Sequence, residues 1–190
     1  MKNLRLTDRD WLILKEVGRW RAVLGRHIKA LAGFEGIRAC DRRIKILIDS
    51  GYLKRQKILY GYQYFCTLSY KSRLLLNLNK RDDKIRVEQI RHDVYVLDTV
   101  IQLLHKNQIA LDNIQTEKEL HQQDGFSNRN HRPDFVFEQS GEKIAFEIEL
   151  SLKSRERLER NIKDNFNKYK MQLWFIERKN KKLESMSFQS

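Results

Sequence analysis

The chain has 190 residues, with 38 Lys or Arg against 25 Asp or Glu and a formal net charge of +13. That length suits one large or two small domains, and a hydrophobic share of 41% is enough for a packed core. Charges interrupt every apolar run before membrane-span length, and Met1-Lys2-Asn3-Leu4-Arg5 lacks a signal-peptide core, which leaves a cytoplasmic protein with no membrane partner as the expectation.

Thr7 is a good N-cap before Asp8 and predicts a first helix with Trp11, Leu12, Leu14 and Val17 on its apolar side. A second short helix is expected near Val23–Ala32, stopping at Gly33. A third covers about Ile37–Ser50, with Ile37, Cys40, Ile44, Leu47 and Ile48 on one stripe and Gly51 as its C′ residue. The period then changes: Tyr52–Leu59 and Tyr62–Leu68 read as strands around Tyr60-Gly61, a hairpin. Cys40 and Cys66 both lie in apolar patterns, as buried free thiols in a reducing compartment would.

Charge is concentrated in this first part. Residues 1–80 hold 18 Lys and Arg against 6 Asp and Glu, whereas residues 81–190 hold 20 against 19. A compact basic domain attracts polyanions through phosphate contacts and counterion release. A membrane surface as the polyanion would call for an amphipathic basic helix or a lipidation site, and neither is visible. Three helices followed by a basic hairpin is the order of a winged helix-turn-helix. The run Arg42-Arg43-Ile44-Lys45 through Gly51-Tyr52-Leu53-Lys54-Arg55 resembles the junction of recognition helix and wing in winged-helix DNA-binding proteins. Double-stranded DNA is the expected partner. Arg38, Arg42 and Lys45 lie opposite the core stripe, Arg43 belongs to the same basic helix, and Lys54, Arg55 and Lys57 sit on the wing.

A short helix from Lys71 leads into a polar linker, Asn77–Asp83, the natural domain boundary. A long helix follows over about 85–106, striped by Val87, Ile90, Val94, Leu97, Ile101 and Leu104. Leu111–Thr116 reads as a strand and Gln122–Arg132 as a polar loop; Glu117 and Glu119 are expected on the surface, with a place on an approaching strand as the alternative. Arg132–Glu138 and Lys143–Leu150 are strands around the turn Gln139-Ser140-Gly141-Glu142. Ser154 caps a helix to about Lys170 with Leu158, Ile162, Phe166 and Tyr169 inward. Gln172–Glu177 is a last strand, and the tail from Arg178 is polar and frayed. The expected organisation is thus α/β or α+β, with domains over 1–80 and 84–178 and a tail over 179–190.

The second domain carries the residues suited to chemistry. Asp134 follows the single proline, and Glu147 comes thirteen residues later. Strand alternation puts Glu147 and Glu149 on one face, so Asp134, Glu147 and Glu149 are three carboxylates at strand level whose repulsion a divalent cation relieves. Hard oxygen ligands suit Mg²⁺ or Mn²⁺, and such a site activates water and neutralises charge in phosphodiester cleavage. The five histidines show no zinc-like spacing with cysteines, and no phosphate-binding glycine loop appears. No sugar cleft can be inferred for a glycosidase pair, and Tyr52, Tyr60, Tyr62 and Tyr64 fall in the wing, where they pack or touch DNA.

Asp134 and Glu147, flanked by helices over 85–106 and 154–170, resemble the PD-(D/E)XK nuclease core. The resemblance makes them metal ligands. Glu149 stands where that motif has lysine. Lys153 could reach back to replace the cation, or the third carboxylate could bind metal. A narrower resemblance spans both halves: His92-Asp93-Val94-Tyr95-Val96-Leu97-Asp98, Arg132-Pro133-Asp134 and Glu147-Ile148-Glu149-Leu150-Ser151 are similar to the motifs of the replication-relaxation family and of MOB-C mobilisation relaxases. This implies a site-specific, nicking endonuclease of a plasmid or integrative element. Asp134, Glu147, Glu149, Lys153 and His92 would serve its catalysis, and a second copy or other relaxosome proteins would be its partners. His92 could instead pair with Glu88 on the polar helix face. Two other readings share the basic residues: a non-catalytic DNA-binding regulator of replication, transfer or transcription, and a restriction-type or transposition endonuclease that cuts both strands.

Overall fold

The structure, a computed structural model, describes residues 4–58, 60–61, 63–78, 86–106, 108–125, 131–151, 154–177 and 183–189. It divides into two compact units, Met1–Ile101 and Gln102–Ser190. Among the described residues no helix is long and apolar enough to cross a membrane.

The first unit opens with α1 (Asp8–Arg19). Thr7 accepts from the Asp10 N–H and Asp10 accepts from the Thr7 N–H, a reciprocal box worth about 1 kcal/mol that fixes the start of the helix where the sequence predicts it. β1 (Val23–Leu24) and α2 (Gly25–Leu31) follow, so the first two residues of the expected second helix are extended. α3 (Ile37–Asp49) ends at Gly51, whose φ of 75° is the left-handed conformation that a helix C-terminus of this type requires. Its inner face is Cys40, Ile44 and Leu47, whereas Ile37, expected in the core, is 44% exposed because it stands on the first turn, beyond the packed neighbours.

β2 (Leu53–Gln56) and β3 (Phe65–Leu68) pair antiparallel, and β1 pairs with the other edge of β3, giving the order β1-β3-β2. The hairpin strands are shorter than predicted; Leu59 and Tyr62, assigned to them, lie outside the described residues. α4 (Tyr70–Leu75) is capped by Ser69, and the linker assigned to 77–83 is described only to Leu78.

After a 3₁₀ turn over Val87–Gln89, α5 (Ile90–His105) begins. Ile90 and Val94 pack with Ala22, Leu24 and Phe65 in one buried cluster, while Val87 is exposed. Asp98, one turn on, bonds His27 and Arg26 of α2. These contacts explain why most of α5 belongs to the first unit and the division falls at Ile101, inside the helix rather than in the polar segment that sequence composition marks. The thiols of Cys40 and Cys66 are buried here, and burial pushes both up to about 11.

In the second unit, β4 (Ile114–Thr116), β5 (Phe135–Gln139), β6 (Glu142–Glu149), β7 (Met171–Glu177) and β8 (Leu183–Gln189) form a mixed sheet in that order. Only the β6–β7 pair is parallel, and α7 (Arg155–Phe166), capped by Ser154, makes the crossover. Phe135, Phe146 and Phe175 stack across three strands with centroid separations of 4.5 and 4.9 Å. The opposite face buries Leu120, Val136, Ala145 and Tyr169.

Three expectations change in this unit. Residues 117–124, expected as surface and loop, form α6 (Glu117–Asp124), started by a Thr116–Glu119 capping box. The segment read as a frayed tail supplies β8, which pairs with β7 along its length. On α7 the fully buried positions are Asn161 and Asn165, with Leu158, Ile162 and Phe166 only half-buried, because this face meets a polar strand surface.

Candidate functional site

The basic residues expected to meet DNA fall into two groups, one on α3 and one on the hairpin. On α3, Arg38 and Arg42 are exposed and form no hydrogen bond or ion pair among the described residues. Lys45 is also exposed and bonds Asp49 at 3.0 Å. Arg43 differs from its neighbours. Its guanidinium grips the fully buried carboxylate of Asp10, one contact being 2.6 Å from Nε to Oδ1. Burial alone would raise the Asp10 carboxyl, but the bonds from Arg43 and Thr7 outweigh it and hold it below its usual range. Arg43 therefore joins α3 to α1 instead of standing on the exposed face with Arg38 and Arg42.

The hairpin contributes Lys54, Arg55 and Lys57, all exposed. The Tyr64 ring organises two of them: the Arg55 guanidinium lies 4.6 Å from its centroid and the Lys57 ammonium 5.3 Å. Tyr60, at the hairpin tip, is fully exposed, and Gly61 beside it has φ of 83°. Between α3 and this hairpin runs a cleft of about 560 Å³, lined by Asp41 and Ile44 from the helix and by Arg55, Lys57, Tyr60 and Tyr64 from the hairpin.

In the second unit the carboxylates are placed by the β5–β6 hairpin. Asp134 immediately precedes β5. Its backbone N–H donates to Phe146 O at 3.0 Å, and its Oδ2 accepts from the Ile148 N–H at 2.7 Å, extending the β5–β6 pairing with a side chain. Glu147, 3% exposed, bonds His131 and also accepts from Asn165 Nδ2 at 2.9 Å, both at Oε1. Burial pushes the Glu147 carboxyl up, the bond from His131 pulls it down, and the nearby Asp134 charge pushes it up again, with a raised value as the net result. Glu149, 5% exposed, is turned toward the chain ahead of it, accepting from the Ser151 N–H at 3.1 Å and hydroxyl at 2.9 Å.

Asp134 and Glu147 thus come close, while Glu149 has its own partner. Among the described residues no three His, Cys, Asp or Glu side chains gather as a group able to hold a metal ion. Of the three expected carboxylates, Glu149 is bonded by Ser151, and Asp134 and Glu147 are the pair whose charges meet. Lys153 lies outside the described residues. His92 is in the first unit, on α5, with Nδ1 3.7 Å from Asp93. Asp98, the far end of the same helix motif, is committed to Arg26 at 2.7 Å and His27 at 3.0 Å.

Two neighbours of Glu147 were not singled out from the sequence: His131 and Asn165. His131 is set by Arg132, whose buried guanidinium bonds Asp124 at 3.2 Å, and by its own N–H donating to Asp164. Asn165 opens a buried polar chain: its amide also reaches Gln172 Oε1 at 3.4 Å, and Trp174 donates to that same oxygen at 2.8 Å. The available signal was the i, i+4 spacing of Asn161 and Asn165 on the inner face of α7, opposite alternating Gln172 and Trp174.

No protein-family model matches this chain, no curated protein matches it, and no solved structure matches it.

Proposed function

We propose that the chain is a site-specific DNA-binding protein that nicks DNA with a divalent metal. Its first unit would act as a winged helix-turn-helix and its second as a PD-(D/E)XK-like nuclease core of the kind found in replication-relaxation and MOB-C proteins. The observation that carries the DNA-binding part is the uncommitted cationic face of Arg38 and Arg42 on α3, beside Lys54 and the Tyr64-organised Arg55 and Lys57 of the hairpin. Helix and hairpin would contact groove and phosphates.

For the nicking part, Asp134 and Glu147 fit Mg²⁺ or Mn²⁺. They are two adjacent hard-oxygen donors, one buried and held toward its neutral form by burial and by the other's charge. Two carboxylates suffice for Mg²⁺, which keeps waters and takes its remaining ligands from phosphate. The cation would supply an activated water and charge neutralisation at the scissile phosphate. The chain's own residues do the positioning. His131 and Asn165 fix the Glu147 carboxylate through Oε1, and the Ile148 N–H fixes Asp134. The β6–α7–β7 crossover behind Glu147 supports the nuclease-like assignment.

A second reading, a DNA-binding regulator without cleavage, is favoured by one observation: His131, Asn165 and Ser151 already supply hydrogen bonds to Glu147 and Glu149. Supercoiled plasmid carrying the locus that encodes the chain separates the two. Wild type should yield open circles with Mg²⁺ or Mn²⁺ and none with chelator, and Glu147→Ala should be at least about a hundredfold slower. Retention of the plasmid without any open circles would establish the regulator. Linear product would point instead to a double-strand cutter.

A further inference from the structure

Two acids stand on α3 beside its cationic residues: Asp49, which pairs with Lys45, and Asp41. Asp41 lies on α3 between Arg38 and Arg42 and lines the cleft against Arg55 and Lys57. Helical geometry puts it within reach of Arg38, three residues before, and Lys45, four residues after. It bonds neither. Lys45 turns to Asp49 at 3.0 Å, and the Asp41 carboxylate makes no hydrogen bond or ion pair among the described residues. Its Oδ1 stands near Gly25, at the start of α2.

A carboxylate on a surface built for phosphates repels them, and leaving it there lowers affinity for any DNA. It becomes useful only where the duplex offers a donor. We infer that Asp41 is a specificity-determining residue that accepts a hydrogen bond from the exocyclic amine of a cytosine presented in the major groove. This rests on the DNA-binding function proposed above. The choice of base follows from the groove edges. A carboxylate is a pure acceptor. Guanine shows it two acceptors, thymine an acceptor and a methyl group, and adenine an amine beside the acceptor N7. Cytosine alone presents an amine without an adjacent acceptor of its own. Asp41 is the fifth residue of α3, in the N-terminal half from which recognition helices reach base edges. Arg55 and Lys57 across the cleft would hold the flanking phosphates, and Ile37, one turn earlier and 44% exposed, can add only apolar contact.

The test is selection from a random duplex library by the full chain, comparing wild type, Asp41→Ala and Asp41→Asn, with thermal melts to check folding. Asp41 is exposed, so both variants should melt as wild type does. Wild type should enrich a motif with one position strongly favouring C·G. Asp41→Ala should flatten that position by about tenfold and leave the others unchanged. Asp41→Asn should move it toward adenine, which suits an amide. An unchanged motif with uniformly tighter binding in Asp41→Ala would overturn the inference, since the acid would then merely repel phosphate. An unchanged motif at unchanged affinity would overturn it by placing Asp41 off the interface. In both cases DNA binding itself would stand. Absence of any DNA binding by wild type would overturn the DNA-binding function and the inference together.

Discussion

His27 is fully buried, and both of its ring nitrogens are occupied. Nδ1 accepts from the Leu24 N–H at 3.1 Å, so the ring hydrogen belongs on Nε2, which faces Asp98 Oδ1 at 3.0 Å. A second proton would have to displace the Leu24 bond, and burial holds the imidazole below its ordinary value of 6.5 despite the Asp98 charge. The folded state therefore resists a proton that the unfolded state accepts. Stability from this group is complete above about pH 6.5 and is lost as pH falls toward the lower folded value. Asp98 adds a loss at more acidic pH, because the bonds from His27 and Arg26 overcome burial and hold its carboxyl below the usual range. Urea midpoints of the first unit should fall between pH 7 and 5.5 in wild type, and the fall should be absent in His27→Gln. Equal falls in both would show that another group is responsible. Such residue pairs were not legible in the sequence. Thr7 and Asp10 are three apart and announce their cap, but His27 and Asp98 are 71 apart, Arg43 and Asp10 33 apart, and His131 and Glu147 16 apart. Only the fold brings them together.

Among the elements, the β5–β6 hairpin determines where the carboxylates sit. Ser140 and Gly141 have φ of 54° and 79°, consecutive left-handed residues that give the tight turn its twist and fix Phe135 opposite Phe146. A slip of one residue would carry Glu147 to the other face of the sheet. Gly141→Val forces a β-branched side chain into that conformation and should cost about 1–2 kcal/mol, read as a lower unfolding midpoint of the second unit. An unchanged midpoint would show that the turn does not limit stability. This hairpin was legible because its signals are local: alternation on both sides of a Ser-Gly turn. β8 and α6 were not. α6 is polar apart from Leu120, and β8 sets Leu183, Met186 and Phe188 among polar residues; their order comes from the Thr116 cap and from pairing with β7, neither of which this composition reveals. Asp134 and Glu147 were found as neighbours from strand pairing, whereas the serine two residues on that bonds Glu149 was not singled out.

On the scale of the whole molecule, basic charge is distributed unequally, with 18 Lys and Arg against 6 acids in residues 1–80 and near balance beyond. If DNA binding belongs to the first unit, its affinity should fall linearly with salt on logarithmic axes, by about 0.9 for each phosphate neutralised. Replacing Arg38, Arg42 and Lys54 together with alanine should make that slope shallower by roughly three. A slope unchanged by the triple substitution would move the phosphate contacts elsewhere.

The two buried cysteines are distributed just as unequally. Cys40 and Cys66 are the chain's only thiols, and both belong to the first unit. With both thiols pushed up to about 11, only on the order of one in 10⁴ is ionised at pH 7, and only the ionised form reacts. Alkylation must therefore wait until this unit opens, while opening of the other unit leaves no covalent mark. The chain carries a built-in chemical clock that records the breathing of one half alone.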